Sequence, residues 1–207
     1  MKVEVNIDEL LKDALASNNI SWLEMHKSEY DINHRFQDRD HETLLAYAIS
    51  DEGSNIYQYL LQNGANIFAI DGEGETIFHS TVYSGLPERL DILLKYNPQA
   101  KRLINSRNNE GVTPLLLAAM LEDYPMCKHL LSLGADVNST DNTHSAPIHP
   151  ACSMGNLDIV KLLIEYGADL HIKTNNGYLP LAMAVNEEHE DVIKYLLSLP
   201  NIWQSIN

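Results

Sequence analysis

Apolar residues recur along this chain in a pattern that copies itself. Five runs, IYQYLLQNGA, LDILLKYN, MCKHLLSLGA, IVKLLIEYGA and VIKYLLSLP, set aliphatic residues at helical spacing. Three of them close on Gly64, Gly134 and Gly167, the residue type that ends a helix in the left-handed conformation. Ahead of the runs lie shorter stretches of apolar residues and alanine, of which GVTPLLLAA is the clearest. Its Thr113 is a helix cap, and Pro114 takes the first helical position, where a missing N–H costs nothing. The same place falls at Thr43, Thr76, Thr113, Ala146 and Leu179, at intervals of 33, 37, 33 and 33 residues. Each period predicts a short helix, a leucine-rich helix, a glycine turn and an extended segment leading to a hairpin tip. Asp141 with Asn142, and the DGEGE stretch at 71–75, supply the chemistry of tight turns. Self-similarity over most of the chain outranks local propensity and predicts stacked repeats.

These segments resemble the ankyrin repeat. GVTPLLLAA, SAPIHPACSMGNLDIVKLLIEYGADL and LLSLGADVN are similar to its signature over roughly residues 36–207, and 1–35 reads as a weaker first unit. The resemblance implies an all-α solenoid of about six helix-turn-helix units with projecting β-hairpin turns, forming a single domain over 1–207. The expected units are about 7–35, 36–69, 70–106, 107–139, 140–172 and 173–204. Asn97 stands where glycine is expected, beside a four-residue insertion around NPQAKR, so the joint after the third unit should be irregular. Pro200 takes the glycine place in the last unit. His79 and His149 keep the motif histidine, which Ala46, Leu116 and Ala182 replace elsewhere. The charges of ELLKDALASNN and NEEHEDVIKYL suit solvent-facing end units, and Trp203 is expected to cover the last helix.

Composition narrows the partner. The apolar fraction of 44% is enough for a core. Acids outnumber bases 29 to 14, a net charge of −15, with no Lys/Arg cluster to offset it. Such a surface repels nucleic-acid phosphates and anionic membranes, and draws in basic partners. Cys127 and Cys152 make no disulfide framework, and no apolar run has the length of a membrane span. MKVEVNIDELLKDAL interrupts with charges the place where a signal core would lie. The expected setting is reducing and cytoplasmic, or the cytosol of a host cell for a translocated effector.

Signatures of catalysis and phosphate binding are missing from the sequence. His149 and Cys152 lie three apart, the spacing of a thiolate–imidazole pair, yet both fall on packing positions. Glu187–Asp191, EEHED, could attract a hard cation, but neighbouring helix ligands diverge. Asp71, Glu73 and Glu75 are too few for a calcium loop and read as an acidic finger. The expectation is therefore no enzyme, no cofactor and no metal.

The resemblance implies that partners meet the hairpin tips and the exposed positions of the first helices. Those positions are Tyr47, Ser50 and Asp51; Ser80, Tyr83 and Ser84; Leu117, Met120 and Leu121; Pro150, Ser153 and Met154; and Met183, Asn186 and Glu187. Tyr47, Tyr83, Leu117, Met120, Leu121, Met154 and Met183, with Asp71 and Glu73 of the acidic finger, are the expected partner-binding residues. Leu117 and Met120 have a competing role, packing against a neighbouring unit. The chain reads as a non-catalytic scaffold for a protein or peptide with basic and apolar features. The alternative is the recognition module of an effector or enzyme complex. The resemblance also puts Asn138 in the context in which ankyrin asparagines are hydroxylated.

Overall fold

A computed structural model of the chain describes residues 6–51 and 55–200. It divides into two compact units, Met1–Leu103 and Ile104–Asn207. The first holds helices α1 (Ile7–Ala16), α2 (Ile20–Met25), α3 (Leu44–Ser50), α4 (Ile56–Gln62), α5 (Ile77–Tyr83) and α6 (Glu88–Tyr96), then a 3-10 helix at Pro98–Leu103. The second holds α7 (Pro114–Met120), α8 (Tyr124–Ser132), α9 (Ile148–Ser153), α10 (Leu157–Glu165), α11 (Pro180–Asn186) and α12 (Glu190–Ser198). Short helix precedes longer helix in the four pairs from α5–α6 onward, as the period predicts, whereas α3 and α4 are equal in length and α1 is longer than α2.

In the first unit α3 packs on both α4 and α5, and α6 packs on the 3-10 helix. Phe36, Leu44, Ile49, Leu60, Phe78 and Leu90 are fully buried there. Thr43 caps α3 by accepting from the Ala46 N–H at 3.1 Å, closing one orphan donor. Asn97 adopts an extended conformation (φ −142°, ψ 101°), so that position needs no glycine. The insertion is absorbed as the 3-10 helix, and the division between the compact units falls directly behind it.

The second unit is the more regular. α7 packs on α8 and α9, α9 on α10 and α11, and α11 on α12. Gly134 and Gly167 close α8 and α10 at φ 94° and 89°, where any Cβ-bearing residue is strained. Ala146 has no hydroxyl, and α9 starts one residue later than the period predicts, with Pro147 as its cap. The buried His149 supplies the other half of a capping box, its Nδ1 accepting from the Ala146 N–H at 3.0 Å, as His79 Nδ1 does from the Thr76 N–H at 3.1 Å.

The expected hairpins are present only as turns with two isolated antiparallel bridges, Arg35 to Thr43 and Ile70 to Thr76; no longer strand occurs among the described residues. Neighbouring tips are tied to one another. In the first unit the Gly72 N–H donates to the Asp40 carbonyl. In the second, the Asn142 N–H donates to the Glu110 carbonyl at 2.9 Å and the Asn175 N–H to the Thr143 carbonyl at 2.8 Å. Asparagines add rungs at the base: Asn33 Oδ1 accepts from the Asn66 N–H at 2.7 Å, and Asn138 Oδ1 from the Asp169 N–H at 2.8 Å.

Of the charges in ELLKDALASNN, Glu9 and Asp13 are exposed and Lys12 is half-buried. The C-terminal unit needs a correction. Glu187, Glu188, Glu190 and Asp191 are exposed, but so are Val185 at 50% and Leu197 at 41%. Trp203 lies outside the described residues.

Candidate partner-binding surface

Position within the repeat decides which first-helix side chains reach solvent. Counting from the cap position, Tyr47, Ser80, Leu117, Pro150 and Met183 stand at the fourth residue, and Tyr83 and Met120 at the seventh. Leu121 and Met154 stand at the eighth. At the seventh and eighth positions Tyr83 is 50% exposed, Met120 43%, Leu121 49% and Met154 45%, whereas Ser84 is buried at 1% and Ser50, Asp51 and Ser153 are half-buried. At the fourth position none is exposed. Tyr47, Pro150 and Met183 are half-buried, and Leu117 is buried with 7% exposure. Leu117 is therefore removed from the expected surface and joins the packing of α7 against α8 and α9.

Helix phase does not explain the difference. Residues four and eight differ by only about 40° in azimuth but by about 6 Å in height along the axis. They share a face, and in the second unit its cap end (Leu117, Pro150, Met183) is buried or half-buried while its far end (Leu121, Met154, Glu187) is exposed.

In the first unit the exposed Tyr83 and the half-buried Tyr47 are fixed by polar neighbours. The Tyr83 hydroxyl donates to Glu75 Oε1 at 3.1 Å. The Arg39 guanidinium lies 4.4 Å over the Tyr47 ring, which also leans on Phe36 at 5.3 Å. Arg39 reaches Glu42 at 3.5 Å. Burial pushes the Glu42 carboxyl above its ordinary range, with Asp71 and Glu75 adding to the shift and Arg39 opposing it. Asp71 is only half-exposed: its Oδ1 accepts from the Glu75 N–H at 2.8 Å and shapes the tip, leaving Glu73 as the exposed acid of the finger. Arg39 went unrecognised in the sequence, because no spacing rule places a residue eight positions before a tyrosine over its ring.

In the second unit the exposed residues Met120, Leu121 and Met154 have acids beside them in sequence or in the next repeat, Glu122, Glu187 and Glu188. Asn156 Nδ2 donates to Glu122 Oε2 at 3.3 Å, and His189 Nε2 donates to the Ser153 carbonyl at 2.8 Å, so adjoining helix ends are bonded together.

The residues with chemical potential are occupied by structure. His149 Nε2 donates to the Ile172 carbonyl at 3.1 Å, and burial lowers its pKa. Burial pushes the Cys152 thiol up to about 12, which removes the thiolate that a nucleophile requires. Glu190 is paired with Lys194 at 2.7 Å. Asn138 Nδ2 donates to the Gly167 carbonyl at 3.1 Å. Among the described residues no three His, Cys, Asp or Glu side chains converge as a metal site, and no helix is long and apolar enough to cross a membrane.

Paired helices, hairpin tips tied in series and a projecting row at the helix ends define a helical-repeat protein. The family described as ankyrin repeats (3 copies) matches residues 69–141 and 122–205, and the chain belongs to it. Phosphocholine transferase AnkX of Legionella pneumophila is 32% identical over 99 residues, 48% of this chain and 10% of that protein. The nuclear factor NF-kappa-B p105 subunit of Rattus norvegicus is 30% identical over 97 residues, 47% of this chain and 10% of that protein. The p105 subunit of Gallus gallus is 27% identical over 97 residues, with shares of 47% and 10%. The chain thus spans about a tenth of the length of these relatives. Ankyrin repeats generally mediate protein–protein contacts and are not themselves catalytic.

Proposed function

We propose that residues 1–207 act as a single non-catalytic binding domain for a protein or peptide with basic and apolar features. The carrying observation is the exposure of Met120, Leu121 and Met154, at 43%, 49% and 45%, at recurrent places where the rest of α7 and most of α9 are buried. Burying such a side chain contributes roughly 1.5–3 kcal/mol, whereas an exposed ion pair contributes about 0–1 kcal/mol. The apolar row therefore dominates affinity, with Met183 at its half-buried margin. The exposed Glu73, with Asp71 shaping its tip, steers basic partners and is sensitive to salt. Tyr47 and Tyr83 present aromatic faces already set beside charge.

A peptide-display selection followed by titration tests this reading. Selected sequences should combine basic and apolar residues, and the Met120→Ser/Met154→Ser double variant should bind at least about tenfold more weakly with little change in melting. Selection of acidic peptides, or unaltered binding by the double variant, would reject it. The similarity to AnkX favours a second reading, in which the array is the recognition part of a larger effector acting in a host cytosol.

A further inference from the structure

Two neighbouring tips of the first unit concentrate negative charge around an aromatic ring. Residues 35–42 and 70–76 carry six acids, Asp38, Asp40, Glu42, Asp71, Glu73 and Glu75, against two arginines, so this edge draws cations. The two arginines are held differently. Arg35 Nη1 donates to the His41 carbonyl at 3.0 Å and to the Ile70 carbonyl at 2.6 Å, which ties it to the backbone of both tips. The Arg39 guanidinium instead lies 4.4 Å over the Tyr47 ring and 3.5 Å from Glu42 Oε2, with its side chain 48% exposed. A close charge-assisted contact would measure about 2.7–2.9 Å. Glu42, at 18% exposure, is thus a largely buried carboxylate faced by a cation that does not close on it. Burial, and then the charges of Asp71 and Glu75, raise its carboxyl above the ordinary range against the pull of Arg39, so a closer cation is favoured there. The backbone around Arg39 is pinned: Asp38 pairs with Lys12, the Asp40 carbonyl accepts from the Gly72 N–H, and Arg35 holds the His41 carbonyl. The Arg39 side chain can therefore leave Tyr47 while the tip keeps its shape.

We infer that Arg39 is a displaceable internal ligand, and that the Tyr47 ring face and the Glu42 carboxylate bind a guanidinium side chain of the partner in its place. This deepens the proposed function by stating where the partner's basic feature sits. The place already holds a cation of that class, stacked on the ring. A guanidinium is planar, stacks on an aromatic face and grips a carboxylate through two parallel N–H donors, which an ammonium cannot do. An arginine brought by a partner is not tied to the backbone of residue 39, so it can close on Glu42 at the shorter distance. While Arg39 occupies the ring, it lowers the apparent affinity for any incoming arginine.

Titration of the full chain with the blocked tripeptide acetyl-Gly-Arg-Gly-amide, followed by NMR at Tyr47 and Glu42, tests the inference. Arg39→Ala removes the internal competitor and should bind the tripeptide about fivefold or more tightly than the unaltered chain. Glu42→Gln added to Arg39→Ala should reverse that gain. The citrulline tripeptide, similar in shape but uncharged, should not bind. The lysine tripeptide, equal in charge, should gain less than the arginine one. Should Arg39→Ala melt early, Arg39→Gln removes the charge, keeps the stem and carries the same test. An unchanged affinity on losing the Arg39 charge overturns the proposal and makes Arg39 a fixed part of the tip. An equal gain for lysine also overturns it, since bulk charge then explains the effect. The tripeptide has no apolar residue, so it reads this place apart from the Met120–Met154 row, and failure of that row as a binding surface would leave the result standing.

Discussion

Tyr83 and Met120 occupy the same place in the repeat, one in each compact unit, and are exposed to similar extents, 50% and 43%. Their surroundings differ. Tyr83 is held by a hydroxyl–carboxylate bond to Glu75, within a setting that also includes Arg39 stacked over Tyr47. Met120 is followed by the exposed Leu121, with the exposed Met154 as its counterpart one repeat on. A tethered aromatic ring presents one geometry at low entropic cost, whereas thioethers adapt to many shapes. On the proposed function, the first unit would discriminate between partners and the second would supply adaptable apolar area.

The sharpest way to break this comparison is one turn nearer the cap. Leu117→Ser should cost about 3–5 kcal/mol, because it empties a buried aliphatic site and introduces a hydroxyl. Met120→Ser, at an exposed site, should stay within about 0.5 kcal/mol. Chemical denaturation measures both, and equal losses would mean that the seventh position is also core.

Gly72→Ala tests the tip on which the first unit's aromatics depend. An added Cβ would lie 2.5 Å from the Asp40 carbonyl oxygen, which is backbone and cannot step aside. A loss of about 1–3 kcal/mol is expected in a thermal melt.

Acidity should act on the two units with opposite sign. The folded state raises the Glu42 pKa from 4.5, so its contribution is present below that value and lost as pH rises through the folded pKa. It lowers the His149 pKa from 6.5, so that contribution is present above 6.5 and lost as pH falls through the folded pKa. In melts across pH, Glu42→Gln should flatten the first dependence and His149→Gln the second, leaving the other in place. Smallest of all, Tyr83→Phe should shift stability by less than about 0.5 kcal/mol, since its bond to Glu75 is exposed. A larger loss would make that tether structural.

Much of the fold could be read in advance because repeats write the same local rules several times over. Thr43, Thr76 and Thr113 stand at caps, Pro114 and Pro180 at first turns, and Gly64, Gly134 and Gly167 in the left-handed region, each through its own backbone chemistry. The candidate surface was legible only in part. Periodicity ranked Leu117 with Met120 and Leu121 because it reports azimuth, and burial at the fourth position depends on height along the axis. Likewise, the charges of NEEHEDVIKYL suggested a closed end, while Val185 and Leu197 are exposed among them.

What the linear chain determined by itself was the period, the caps and turns, the buried aliphatic rows and the acidic surplus, because these follow from backbone preference, side-chain polarity and charge counting. What only the tertiary structure decided was which members of a shared helix face reach solvent, that His149 Nδ1 bonds the Ala146 N–H, that Arg39 stacks on Tyr47, and that Val185 and Leu197 are exposed on the last pair of helices. Those outcomes depend on what lies next to each residue in space, and accessibility is a property of neighbours that a one-dimensional pattern does not contain.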